Sequence, residues 1–187
     1  MFRSVALFTA LAVLAATPAA AQSSSGGSVA EVANDLPYSH CPAFLERGRP
    51  LSLTDELKRR GFFGQPEPLD DPFFPGFEWF VQSFDDGKIS VSGLPGRVCV
   101  IKVNSNKAGT VADAWQAQVE KRFPTFTFDK ERSGEVFGIQ MFTWNTPAGA
   151  SRRMSLAVAF QSLHEFDENG GVAGSTDQAT FQLIFED

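Results

Sequence analysis

Hydrophobic residues in this chain recur with two periods, and the points where one period gives way to the other delimit its elements. Alternation with a period of two is clearest towards the C-terminus, in Met154, Leu156, Val158 and Phe160 and again in Phe181, Leu183 and Phe185. That spacing places alternate side chains on one face of a strand and predicts strands over 152–163 and 179–187. Upstream, FEWFVQSF at 77–84 is aromatic and β-branched, Asp85-Asp86-Gly87 has turn chemistry, and Ile89 and Val91 alternate in 88–94, which together predict a hairpin. RVCVIKVN at 97–104 reads as a central strand with Cys99 pointing inward beside Ile101. Two further strands are predicted at 125–131 and 135–145, joined by a turn at Arg132-Ser133-Gly134, with Pro147-Ala148-Gly149 turning the chain into the next strand.

A period of 3.6 emerges in two places. Ser52 begins an S-x-x-D capping pattern ending at Asp55, Leu53 and Leu57 lie one turn apart, and Lys58-Arg59-Arg60 precedes Gly61, predicting a helix over about 52–60. Thr110 to Asp113 repeats the pattern, and Val111, Trp115, Val119 and Phe123 form one stripe that Pro124 ends, predicting a helix over about 110–122. Elsewhere proline and small polar residues dominate. LPYSHCPAF, from 36 to 44, carries Pro37 and Pro42 and is expected to form a pinned irregular strand or turn. The stretch 62–76, with prolines at 66, 68, 72 and 75, is expected to be a loop, and 22–35 a flexible N-terminal segment, so that a single α+β domain covers 36–187.

Helix, three strands, helix, four strands is an α+β order. It implies a single curved antiparallel β-sheet of about seven strands with two helices packed on one face. The order also reads as a degenerate αβββ duplication: in both halves a helix ending in basic residues runs into Phe62 or Phe123, then a hairpin, then a strand led by Arg97 or Arg153.

Residues 1–21 change the picture by giving an address. Arg3, an apolar run from Val5 to Ala16 and small residues at Ala19-Ala20-Ala21 have the build of a secretory signal peptide cut before Gln22, implying a periplasmic or secreted protein with no membrane insertion after cleavage. Removing 21 of the 187 residues leaves 166, enough for one core. Arg3 leaves with the signal, so 15 of the 16 basic side chains remain against 22 acidic ones, a formal charge of −7. That balance excludes nucleic acid as a partner, since it repels phosphate, and would attract a cationic protein or peptide.

Export also sets the chemistry of Cys41 and Cys99, an even pair bound for an oxidising compartment, and predicts a disulfide between them. The alternative, Cys41 as a nucleophile beside His40, requires side chains of adjacent residues to converge. Two Cys and two His at 40, 41, 99 and 164 lack zinc-ligand spacing, and counting a calcium loop from Asp167 puts Val172 where glycine belongs and Gln178 where a bidentate Glu belongs, so no metal is expected. No nucleophile elbow, H-E-x-x-H or glycine-rich phosphate loop is present, so neither catalytic residues nor a cofactor are assigned.

The compositional signal that remains is 19 Phe against one Tyr and three Trp. Most of these rings are expected in the core. The cluster Phe62, Phe63, Phe73, Phe74, Phe77, Trp79 and Phe80 is broken by prolines and glycines, and Asp70, Asp71 and Glu78 would give it an acidic rim, the anatomy of a contact surface. Phe73, Phe74, Phe77, Asp70 and Asp71 are therefore the expected partner-binding residues. The function this implies is a non-enzymatic binding or accessory protein for a protein or apolar ligand, one form of which is an inhibitor of a cationic cell-wall hydrolase. The competing class is a small exported hydrolase with a site assembled from distant strands and loops.

Overall fold

The computed structural model describes residues 27–51, 55–64, 76–166, 168 and 170–186. Four helices, α1 (Val29–Ala33), α2 (Leu36–Arg47), α3 (Asp55–Arg59) and α4 (Ala108–Arg122), accompany nine strands. These are β1 (Phe63–Gly64), β2 (Glu78–Phe84), β3 (Gly87–Leu94), β4 (Val98–Asn104), β5 (Thr127–Phe128), β6 (Gly134–Val136), β7 (Ile139–Asn145), β8 (Arg153–Phe166) and β9 (Val172–Glu186). They form one antiparallel sheet in the order β1-β2-β3-β4-β9-β8-β7-β5, with β6 also paired to β7, and the sheet does not close. The fold is α+β, and β4 is central, between β3 and β9.

One face of this sheet is closed by helices. Its inward residues include Phe80, Ile89, Val91, Cys99, Ile101 and Val103 from the first meander, and Leu156, Val158, Phe181 and Leu183 from the second, all buried. α4 packs over β9, β8 and β4, and α2 over β4 and β9, while α1 bridges β3, α2 and α4. The stripe read from sequence is the centre of this layer: Val111 is 1% exposed, and Trp115 and Val119 are fully buried. Trp115 Nε1 donates to the Ala33 carbonyl at 2.9 Å, and its ring meets Phe181 edge-on at 5.9 Å.

The N-terminal region departs most from the sequence expectation. Residues 22–26 lie outside the described residues, but order begins by Ser28 rather than Leu36, because Ser28 and Glu31 form a complete capping box that opens α1 and buries Val29 and Ala33. Asp86 holds that helix start from the β2–β3 turn, accepting from the Val29 N–H and from Lys107 Nζ, both bonds lowering its carboxyl pKa. The segment 36–47 is a helix, not an irregular strand. Pro37 falls in the first turn, where its missing N–H is no loss, and α2 continues through Pro42 because one face buries Leu36, Tyr38, Cys41, Phe44 and Leu45. Tertiary burial outweighs one lost helical bond.

Smaller corrections follow the same logic. Asp55–Arg59 is helical as expected, while Ser52, Leu53 and Thr54 lie outside the described residues. α4 begins two residues before the predicted Thr110 cap, behind Lys107, whose own N–H is taken by Ser105 Oγ. The expected strand over 135–145 is two, β6 and β7, because Phe137 and Gly138 both adopt positive φ, 52° and 77°, and reverse the chain. β8 and β9 run to Phe166 and Val172, beyond their predicted ends, as one long hairpin.

The disulfide between Cys41 and Cys99 is present, with Cα atoms 5.5 Å apart, and ties α2 to the central strand. Gly93, opposite Cys99, lets the helix come this close, since a Cβ there would lie 2.8 Å from the Phe44 ring and 2.2 Å from the Val98 carbonyl oxygen.

Two expectations follow for stability. Trp115→Ala should cost about 3–5 kcal/mol in urea denaturation, whereas Glu120→Ala, on the exposed side of the same helix, should change it by under about 0.5 kcal/mol. Closing a loop across 58 residues of separation removes about 4 kcal/mol of unfolded-state entropy, so replacing both Cys41 and Cys99 by Ala should lower stability by up to that amount, with the same midpoint shift on reduction of the unmutated chain.

Candidate functional site

Pleating sends every second side chain of these strands away from the helices, and on that open face the sheet curves around a groove of about 460 Å³. The groove is built by side-chain size. Its floor carries small or slender groups, Ser90 and Ser92 on β3, Val100 on β4, Thr180 on β9 and Ala159 on β8. Its walls carry large ones, Phe77 and Trp79 on the β2 side and Ile139 and Met141 on β7. Trp79 keeps 41% of its surface exposed, an apolar ring standing at the rim.

One end of the face is covered. Asn145 Nδ2 donates to Asp129 Oδ2 at 2.7 Å, Thr143 Oγ1 donates to the Arg132 carbonyl at 3.1 Å, and Arg132 reaches Glu186 of β9 at 3.2 Å. The segment 129–133 thus reaches across the face from β7 to β9, with Thr143 buried beneath it. At the other end Gln161 Nε2 donates to Gln178 Oε1 at 2.9 Å, and Gln178 Nε2 donates to Asn104 Oδ1 at 2.8 Å, an amide chain running across β8, β9 and β4. Among the described residues that line the groove, Lys102 is the one charged side chain.

The residues expected from sequence to bind a partner divide unevenly. Asp70, Asp71, Phe73 and Phe74 lie outside the described residues, while Phe77 forms part of the groove wall. The aromatic cluster around them is not one surface. Phe62 is fully buried and Phe80 is 7% exposed on the helix side, whereas Phe63, at 66%, and Trp79 face solvent. Period-two pleating explains the split between Trp79 and Phe80. The groove residues on β7, β8 and β9 were not anticipated; their one signal in the sequence is that outward positions 159, 161, 178, 180 and 182 are small or amide-bearing rather than charged.

Among the described residues neither His40 nor His164 hydrogen-bonds a hydroxyl or thiol side chain. Cys41 is bridged, and His40 is 4% exposed, stacked on Phe44 with ring centroids 5.6 Å apart, and its Nε2 has no hydrogen-bond partner. Burial pushes its pKa down to about 4 from the ordinary 6.5, with Glu56 pulling it back up and Arg60 opposing. His164 is exposed on the outer part of β8. Among the described residues no group of three or more His, Cys, Asp or Glu is placed to hold a metal ion.

Compared with models of known families, with curated proteins and with solved structures, the chain finds no match.

His40 gives the folded state a pH signature. The folded protein holds it neutral while the unfolded chain protonates it near 6.5, so stability is complete above that value and falls as pH drops towards 4. Urea denaturation between pH 7 and 4 should show a loss of about 3 kcal/mol from this group, and His40→Leu should flatten that part of the profile.

Proposed function

We propose that this chain is an exported, non-enzymatic binding protein that holds an apolar small molecule in the groove on the open face of its sheet. The groove itself carries the reading. Its volume lies in the range of about 300–1,000 Å³ typical of small-molecule sites, and its walls are four large apolar side chains around a floor with a few polar groups. The helical layer is elsewhere, so filling the groove requires no change in the core.

The polar groups present favour binding over hydrolysis. Among the described residues they are amides, hydroxyls and one ammonium, which orient a ligand by hydrogen bonds, with no carboxylate pair or imidazole among them to carry a proton to and from a reacting atom. A concave site also favours a small molecule over the flat contact that a protein partner, such as a cationic cell-wall hydrolase, would make. Export is supported by the leader-like residues 1–21 and by a disulfide that suits an oxidising compartment. No helix among the described residues is long and apolar enough to cross a membrane. The order β2-β3-β4 beside β9-β8-β7 is also what a duplicated helix-and-three-strand unit would produce, and the groove then lies along the seam of the two halves.

N-phenyl-1-naphthylamine, an apolar dye that brightens when removed from water, should bind the mature protein saturably at one site. Ala159→Trp, which fills the groove floor opposite Met141 and Thr180, should weaken that binding by at least about tenfold while the melting temperature stays within a few degrees. Absence of saturable binding, or equal binding by both proteins, would overturn the reading.

A further inference from the structure

We infer that Lys102 makes the groove a site for single-chain aliphatic carboxylates, with the carboxylate on the ammonium and the chain between the two apolar walls. This rests on the groove being a ligand site and names the class of ligand.

Lys102 projects from the central strand onto the groove floor, directly across from Ser90 on β3 and Thr180 on β9. Directly opposed residues in an antiparallel pair have Cβ atoms about 5 Å apart, so both hydroxyls lie at the foot of the lysine side chain. Gln182 lies on the diagonal, opposite Val100. Within the described residues none of Lys102, Ser90 and Gln182 has a side-chain hydrogen bond or ion pair, whereas Gln161, Gln178 and Asn104, one step along the same face, satisfy one another. Donors are thus left open at one point of the floor and closed off beside it. Among the described residues no carboxylate lines the groove, and none forms an ion pair with Lys102.

The valence of the head group follows from the same count. One ammonium matches one negative charge. A phosphate carrying nearly two would be taken partly out of water with half its charge uncompensated, which desolvation disfavours. A neutral head group would leave the ammonium crowded by an apolar chain with no anion to offset its lost hydration, and a cationic one would be repelled. The apolar walls require the rest of the molecule to be hydrocarbon, and Phe77 and Trp79 on one side and Ile139 and Met141 on the other give it two surfaces to lie between.

Isothermal titration of the mature protein with decanoate, decan-1-ol and decyltrimethylammonium, each kept below its aggregation concentration, separates the head group from the chain. Decanoate should bind about five- to tenfold more tightly than decan-1-ol, as one partly exposed, charge-assisted contact provides, and the cation should bind most weakly. Lys102→Met keeps the aliphatic stem and should bring decanoate to within about twofold of decan-1-ol without changing the affinity for the alcohol; Lys102→Arg should retain the preference. Lys102 is exposed, so the melting temperature of both variants should match the parent. Equal binding of decanoate and decan-1-ol to the parent protein, or a preference that survives in Lys102→Met, would overturn the carboxylate assignment and leave the groove as an apolar site. Failure of all three compounds to bind would instead overturn the groove as a ligand site.

Discussion

The indole of Trp115 joins every layer of this fold. Its Nε1 donates to the Ala33 carbonyl at the end of α1, its backbone carbonyl accepts the buried Tyr38 hydroxyl from α2, and its ring and that of Tyr38 both meet Phe181 of β9 edge-on. Burial raises the Tyr38 pKa well above its usual value, so that hydroxyl stays protonated and remains a donor. One residue therefore fixes three helices against the centre of the sheet, and satisfies polar atoms that burial would otherwise leave unpaired. Because that layer is complete on one face, α1, α2 and α4 are all committed there, and the other face is left to side-chain size alone.

An antiparallel sheet tolerates such one-sidedness when its second face is polar and flat. Here the second face is concave, and its polar floor is flanked by apolar walls. Curvature brings Trp79 of β2 and Met141 of β7 to the same groove although four strands lie between them in the sheet. Small residues at the bottom of the curve, Ser90, Ser92 and Ala159, keep the space from filling, and Ser90 and Ser92 are shielded to 8% and 7% exposure by their larger neighbours. The disulfide contributes from the other side. By fastening α2 to β4 at Cys99, it holds the floor strand whose outward residues are Val100 and Lys102.

The elements legible in the sequence were those whose period and punctuation agreed. The hairpin 77–94 had aromatic strands and Asp-Asp-Gly between them, the central strand had Cys99 and Ile101 on one face, and α4 had a four-residue stripe ended by Pro124. α2 was illegible because Pro37 and Pro42 speak against a helix locally, while what favours it, burial beneath the sheet and a bond to a residue 58 positions away, is tertiary. α1 carried its own signal in Ser28 and Glu31, overridden by the glycine and serine around it. The groove was hidden for a different reason. Its residues are outward positions on six strands, and in sequence an outward position reads as solvent whether or not the sheet bends to enclose it; only Phe77 and Trp79 were picked out, for their place in an aromatic cluster, and of these Phe77 alone as partner-binding.

Charge acts on this protein at two lengths that oppose each other. The chain's formal charge of −6 repels anions in bulk, but at physiological salt that field is screened within about 8 Å of the surface. Lys102 acts at contact, against a floor and walls that displace water, where screening is weaker and the hydroxyl and amide donors add to the ammonium. The surface charge therefore bears mainly on how often an anion arrives, and the groove on which one stays. An acidic surface around one groove-lining ammonium discriminates against multivalent anions, which meet the repulsion in full and find one cation to answer it, and least against a weakly charged amphiphile whose hydrocarbon supplies most of the binding energy. The walls and the lysine thus depend on each other: apolar area without the cation would accept any greasy molecule, and the cation without the walls would be one more surface lysine.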